Sequence, residues 1–163
     1  MRFYRLDAAF AGVLALGLVS ESPLAQTATQ TVTYSVVSMS RAAVSGTASP
    51  IIVRMATASG APTSASMGGT SYAITTNESN QKIAASLDEP MPSGLSLAVS
   101  LAAPAGAASA GTTNLGTASA DVVTGISGVS VMALPIVYTL SASADASLAP
   151  RKRLVTFTIT AGM

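Results

Sequence analysis

Bulky apolar residues fall at every second position in two stretches near the C-terminal end of the chain. In Leu134-Pro-Ile-Val-Tyr-Thr-Leu-Ser-Ala142 they are Ile136, Tyr138 and Leu140. In Arg153-Leu-Val-Thr-Phe-Thr-Ile-Thr160 they are Val155, Phe157 and Ile159, with threonines between them. Such alternation in strand-favouring residues means one buried and one wetted face, and predicts two antiparallel strands that form a hairpin in one wall of a β-sandwich. Phe157 is expected in its core.

Earlier segments follow the same period. Gln30-Thr-Val-Thr-Tyr-Ser-Val-Val37 sets Val32, Tyr34 and Val36 on one face and reads as the first strand. Ser38 to Ser49 reads as loop, with Arg41 to Val44 able to extend a strand. Pro50 to Met55 is a short apolar strand that begins on proline, where proline is tolerated. Ala56 to Thr70, rich in Gly, Ser and Thr, reads as a long connection. Ser71 to Thr76 and Gln81 to Leu87 flank four turn-favouring residues, Asn77 to Asn80, and are expected to pair as a hairpin. Leu95 to Leu101 alternates cleanly, with Leu95, Leu97, Val99 and Leu101 expected inward. Ala102 to Gly111 is a second small-residue loop, Thr112 to Leu115 and Asp121 to Thr124 are short strands, and Gly125 to Gly128 is a turn. Seven to nine short strands without an amphipathic helix describe an all-β, antiparallel, immunoglobulin-like sandwich.

The first residues carry a different pattern. Arg2 and Arg5 precede an uncharged run from Ala8 to Ser20, and a polar segment follows Ala25. This is the plan of a secretory signal peptide, a helix over residues 1–25 cleaved after Ala25, which leaves residues 26–163 as the sandwich domain. The run falls short of the ~20 apolar residues that span a bilayer, so no stable transmembrane span is expected in the mature protein. A secreted or extracytoplasmic location follows, in the periplasm or at the cell surface.

Composition then removes chemistry. The chain has no Cys and no His, and its formal net charge is +1. Without Cys, stability rests on burial and strand pairing; without His, the commonest general base and metal ligand are gone. A nearly neutral chain offers no electrostatic footprint for nucleic acid. Weak charge repulsion suits a protein that associates with itself.

The remaining candidates each have a structural alternative. No Gly-x-Ser-x-Gly or Ser-x-x-Lys pattern marks a nucleophile, and neither Lys82 nor Lys152 is flagged as a base. Asp88 and Glu89 are a conceivable carboxylate pair, but neighbours in sequence diverge on a turn, so a solvated turn before Pro90 is favoured. Glu78, Asn77 and Asn80 lack calcium-loop spacing. Arg151-Lys-Arg153 reads as a charged guard at a strand edge rather than a phosphate or polysaccharide site. The scattered methionines read as core filling. Asn77-Glu-Ser79 matches the short glycosylation pattern. Tyr34, Tyr72 and Tyr138 lie in alternating strands and read as core, which argues against a sugar-stacking platform. No catalytic, cofactor-binding or metal residue is assigned.

The succession Tyr72-Ala-Ile-Thr-Thr, Lys82-Ile-Ala-Ala-Ser-Leu, Met91-Pro-Ser-Gly, Leu95 to Leu101, Tyr138-Thr-Leu-Ser-Ala and Val155-Thr-Phe-Thr-Ile-Thr resembles small exported bacterial proteins with immunoglobulin-like or fimbrial-type sandwiches. The resemblance covers Gln30 to Thr160 and rests on strand pattern, so it carries over no site residue. The chain departs from disulfide-bearing pilins in having no Cys. The function expected is a non-enzymatic structural or adhesive protein, a self-associating surface, fibre or matrix subunit in which Val32, Tyr34 and Val36 anchor a strand donated to the next copy. The alternative is a monomeric binding module for a glycan, a lipid or an envelope protein, using Ala56 to Gly69 and Ala102 to Gly111.

Overall fold

The computed structural model describes residues 30–53, 63–146 and 151–163. Among these residues there are nine strands and no helix: β1 (Ser40–Ser45), β2 (Thr63–Thr76), β3 (Gln81–Leu87), β4 (Leu95–Leu101), β5 (Ala108–Ser109), β6 (Thr113–Asn114), β7 (Ala120–Ile126), β8 (Val129–Ala142) and β9 (Val155–Ala161). They form two antiparallel sheets, one ordered β1-β2-β8-β4-β6 and the other β5-β7-β3-β9. The fold is therefore an all-β, two-sheet sandwich. The signal helix expected over residues 1–25 lies outside the described residues.

Both expected hairpins are absent. β2 and β3 flank the Asn77–Asn80 turn but lie in different sheets, and so do β8 and β9. Among the described strands, β1 and β2 are the only sequence neighbours that pair; beyond β2 every connection carries the chain from one sheet to the other. The alternation does mark strands, but it specifies a buried face and leaves the partner open. Crossing to the opposite sheet aims both inner faces at each other, which buries more apolar surface than a free hairpin does.

The core lies between those faces. Tyr72, Ile74, Val99, Leu101, Ile136 and Tyr138 from the first sheet meet Ile83, Ala85, Leu87, Val122, Val123 and Ile126 from the second, and Leu115 closes one end. Val99 and Leu101 are buried as expected, whereas Leu95 and Leu97 are half-buried. No buried side-chain nitrogen or oxygen lacks a partner among the described residues.

Four expected boundaries move. Gln30 to Met39 belongs to no strand, and the first strand begins at Ser40. Ile51 to Val53, in the middle of the expected Pro50 to Met55 strand, is not a strand; Arg54 and Met55 lie outside the described residues. The supposed connection Ala56 to Thr70 contributes Thr63 onward to β2, a strand of 14 residues. Val129 to Leu134 joins the stretch after it in β8, also 14 residues long.

Paired bulges break the regular period of those two strands. Between the pairs Met67–Tyr138 and Thr70–Ile136, β2 carries one extra residue at Gly68-Gly69; between Tyr72–Leu134 and Ile74–Val131, β8 carries one extra at Met132-Ala133. Each bulge changes which parity faces inward: Ala65 and Met67 give way to Thr70, Tyr72 and Ile74, and Val129 and Val131 give way to Leu134, Ile136 and Tyr138. A strict period-two reading breaks at such a step. Gly69 adopts a φ of 93° without strain, but Ala133 holds a φ of 60°, where its Cβ crowds the backbone.

Two substitutions test this packing. Ile136 is fully buried in β8 between β2 and β4, so Ile136→Ala should cost about 2–5 kcal/mol in urea denaturation, while Met132→Ala on the wetted face should stay within about 0.5 kcal/mol. Ala133→Gly should raise stability by about 0.5–1 kcal/mol in the same assay, because it relieves the left-handed conformation. A loss on that substitution would show that the bulge carries no strain.

Candidate functional site

The expected strand-donor residues sit on an exposed segment. Val32, Tyr34 and Val36 are 72%, 86% and 80% exposed, and Val37 is as open. This corrects the reading of Tyr34 as core; Tyr72 and Tyr138 are buried. An eight-residue stretch with three alternating apolar side chains and no charge thus presents its surface to water. Such an exposed stretch, outside any strand and with apolar anchors at alternate positions, has the makings of a strand without a sheet.

The root of this segment is fixed. The Asn77 side chain donates from Nδ2 to the Val37 carbonyl at 2.7 Å and accepts at Oδ1 from the Met39 N–H at 2.7 Å, while its own N–H donates to the Met39 carbonyl at 3.1 Å. One amide side chain thus imitates a rung of sheet, holding Val37 to Met39 beside the end of β2. Ser40 continues the contact, its hydroxyl 2.6 Å from that of Thr76. The amide nitrogen a glycan would need is engaged here, which gives Asn77 a structural role its sequence pattern did not signal.

β9 stands at the end of its sheet, paired on one side to β3 in unbroken register from Gln81–Ala161 to Leu87–Val155. Its inward residues Val155, Phe157 and Ile159 are only half-buried and pack against the core rather than within it. Phe157 is therefore a marginal core residue, because an end strand has a neighbour on one flank alone. The start of β9 is clamped by the Asp88–Pro90 turn. Arg153 donates from Nε and Nη2 to the Pro90 carbonyl at 3.2 and 2.9 Å and lies 3.5 Å from Glu89 Oε2. Asp88 Oδ1 accepts from the Leu154 N–H at 3.0 Å, and the Asp88 N–H donates to the Leu154 carbonyl at 3.1 Å.

The clamp adds detail to two sequence readings. Asp88 and Glu89 do lie on an exposed turn before Pro90, and Asp88 in addition fastens the chain ahead of β9. Of the basic cluster, Arg153 is tied down and only Arg151 and Lys152 are exposed. Lys82 is likewise committed, its Nζ 3.0 Å from Asp121 Oδ2 across β3 and β7.

Between β1 and β9 the sandwich is open. A shallow apolar slot there is lined by Ala42 and Val44 of β1, Tyr72, Ile83, Leu101 and Phe157. β1 is exposed over nearly its whole length, and Val44 is half open to water. The opposite flank is closed: β5 and β6 are two residues each, and the chain passes between the sheets at Ala110–Thr112. Ser109 donates to the Leu101 carbonyl at 2.6 Å, and Leu115 plugs that end of the core. The expected binding loop Ala102 to Gly111 therefore supplies closure, with Pro104 buried and Ala103 and Ala107 against the core. Of the other expected loop, residues 56–62 lie outside the described residues and Thr63 to Gly69 is strand.

Among the described residues, no group of three or more His, Cys, Asp or Glu side chains gathers as metal ligands do, and no helix is long and apolar enough to cross a membrane. The methionines divide: Met67 and Met91 pack against the core, whereas Met39, Met132 and Met163 are exposed. No protein family matches the chain, and neither characterised proteins nor solved structures give a match.

Tyr72 ties the slot to the rest of the first sheet, its hydroxyl donating to the Ala102 carbonyl at 2.5 Å. Burial pushes its pKa from 10.0 up to about 12, and burial also raises that of Tyr138. The unfolded chain releases these protons first, so their stabilisation is whole below the ordinary tyrosine value and is lost as pH rises through the folded value. The urea midpoint should fall as pH climbs from 10.0 toward about 12, and fall less steeply in Tyr72→Phe. Equal slopes in the two proteins would remove Tyr72 from the account.

Proposed function

We propose that this is an exported, non-enzymatic structural or adhesive protein, an immunoglobulin-like sandwich that associates with copies of itself through main-chain pairing. The observation that carries the reading is the Gln30 to Val37 arm, which exposes Val32, Tyr34 and Val36 at alternate positions and belongs to no strand. Exposing three large apolar side chains in water is unfavourable, by roughly 1.5–3 kcal/mol for each one fully buried elsewhere. A sheet edge on a neighbouring subunit offers cover for those side chains and partners for the backbone groups together. The export pattern at residues 1–25 and the low charge support assembly outside the cytoplasm, at a surface or in a fibre or matrix.

Catalysis has little support in comparison. The chain has no His or Cys to activate a nucleophile, and Asp88, Arg153 and Lys82 are engaged in holding strands together.

Removing residues 26–37 from the mature protein tests the reading. The shortened protein should remain folded by circular dichroism and sediment as a monomer at concentrations where the intact mature protein forms larger species or filaments. Assembly that survives the deletion would overturn the proposal.

A further inference from the structure

Building on that reading, we infer that the surface receiving the arm is the free edge of β9 in a second copy of this chain, where the arm lies opposite β1 and covers the slot. The self-association proposal names the donor; the receiving edge follows from how the two sheets match.

The first sheet has five strands and the second has four. The short end strands β5 and β6 mark the closed flank, so the mismatch emerges on the other one. There β1 approaches β9 across the slot, yet its inner residues Ala42 and Val44 are exposed. A strand added to β9 makes five over five and sets its inward side chains against Val44. A strand added to β1 instead would widen the first sheet further, with nothing opposite. Edge chemistry favours the same choice: β1 carries Arg41, whereas β9 runs from Val155 to Ala161 with no charge, proline or bulge. Natural sheets commonly guard their edges with such interruptions, and an edge that lacks them is a ready template for another strand.

The arm fits that edge in length and spacing. Gln30 to Val37 is eight residues against seven in β9, and each contributes three inward positions: Val32, Tyr34 and Val36 beside Val155, Phe157 and Ile159. All of the donor positions are exposed in the single chain, and all of the receiving ones are half-buried. Neither segment carries a charge that pairing would strip of water. The Asn77 clip holds the arm at its root and so lowers the entropy lost when it docks.

The absence of cysteine makes the pairing directly readable, since any disulfide must join introduced residues. Thr33→Cys in one tagged full-length chain is combined with Thr158→Cys in a differently tagged chain; both sites lie mid-segment on the polar face, so strand direction matters little. Adjacent strands bring Cα atoms within disulfide range. After co-expression and mild oxidation, the mixed dimer should exceed by at least about tenfold that formed between Thr33→Cys and Ala43→Cys on β1, because docking raises the local concentration of one thiol at the other. Preferential trapping at Ala43 would assign the arm to β1 and overturn the inference. So would a bond within one chain in the Thr33→Cys, Thr158→Cys double variant, or assembly that proceeds without either crosslink. In each of those cases arm-driven association would still stand, provided that removing residues 26–37 abolishes it. If the intact protein sediments as a monomer throughout, self-association itself fails, and the inference with it.

Discussion

The long ladder between β2 and β8 is the interaction on which the rest of the sandwich depends. Two 14-residue strands, more than fifty residues apart in sequence, run side by side through the first sheet, and β1 and β4 attach to their outer flanks. Bringing such distant segments together costs loop-closure entropy before any contact is made. The return comes from the inner face. Tyr72, Ile74, Ile136 and Tyr138 enter the core together once the ladder is in register. The bulges keep that register useful by changing inward parity on each strand at a different point. Without them, one end of each strand would turn its apolar side chains to water.

Polar side chains complete the backbone bonding where strands end. Asn77 pins the residues before β1, Asp88 and Arg153 hold the chain before β9, and Ser109 fastens the β5–β6 flank. Groups that look like candidate chemistry in a sequence, a carboxylate pair or a basic triplet, are in part brackets for strands. With no disulfide available, such brackets do the local fastening that crosslinks provide in many small exported domains. One flank is thereby closed while the β1–β9 flank retains an apolar slot, and that asymmetry gives the self-association reading its direction.

The sequence made the strands legible well beyond their partners. Leu95 to Leu101 and Gln81 to Leu87 coincide with β4 and β3, and Val155 to Thr160 lies within β9. Each is short and regular, so the local period suffices. Part of β2 looks like loop in the sequence because Gly68 and Gly69 are ordinary turn residues; only pairing with β8 makes them a bulge. Val32, Tyr34 and Val36 give the arm the pattern of a strand, yet the described chain offers it no sheet.

By itself the sequence determined the class: alternation sets one oily face per segment, and the lack of Cys leaves burial and hydrogen bonding, without crosslinks, to hold the chain together. The tertiary structure alone decided which strands are neighbours, because a backbone hydrogen bond is the same with any partner and a buried face fits many opposing ones. Choosing among them requires the summed shape of both sheets, and it is that sum, five strands over four, that leaves Phe157 and Val44 at an open flank rather than in a closed core.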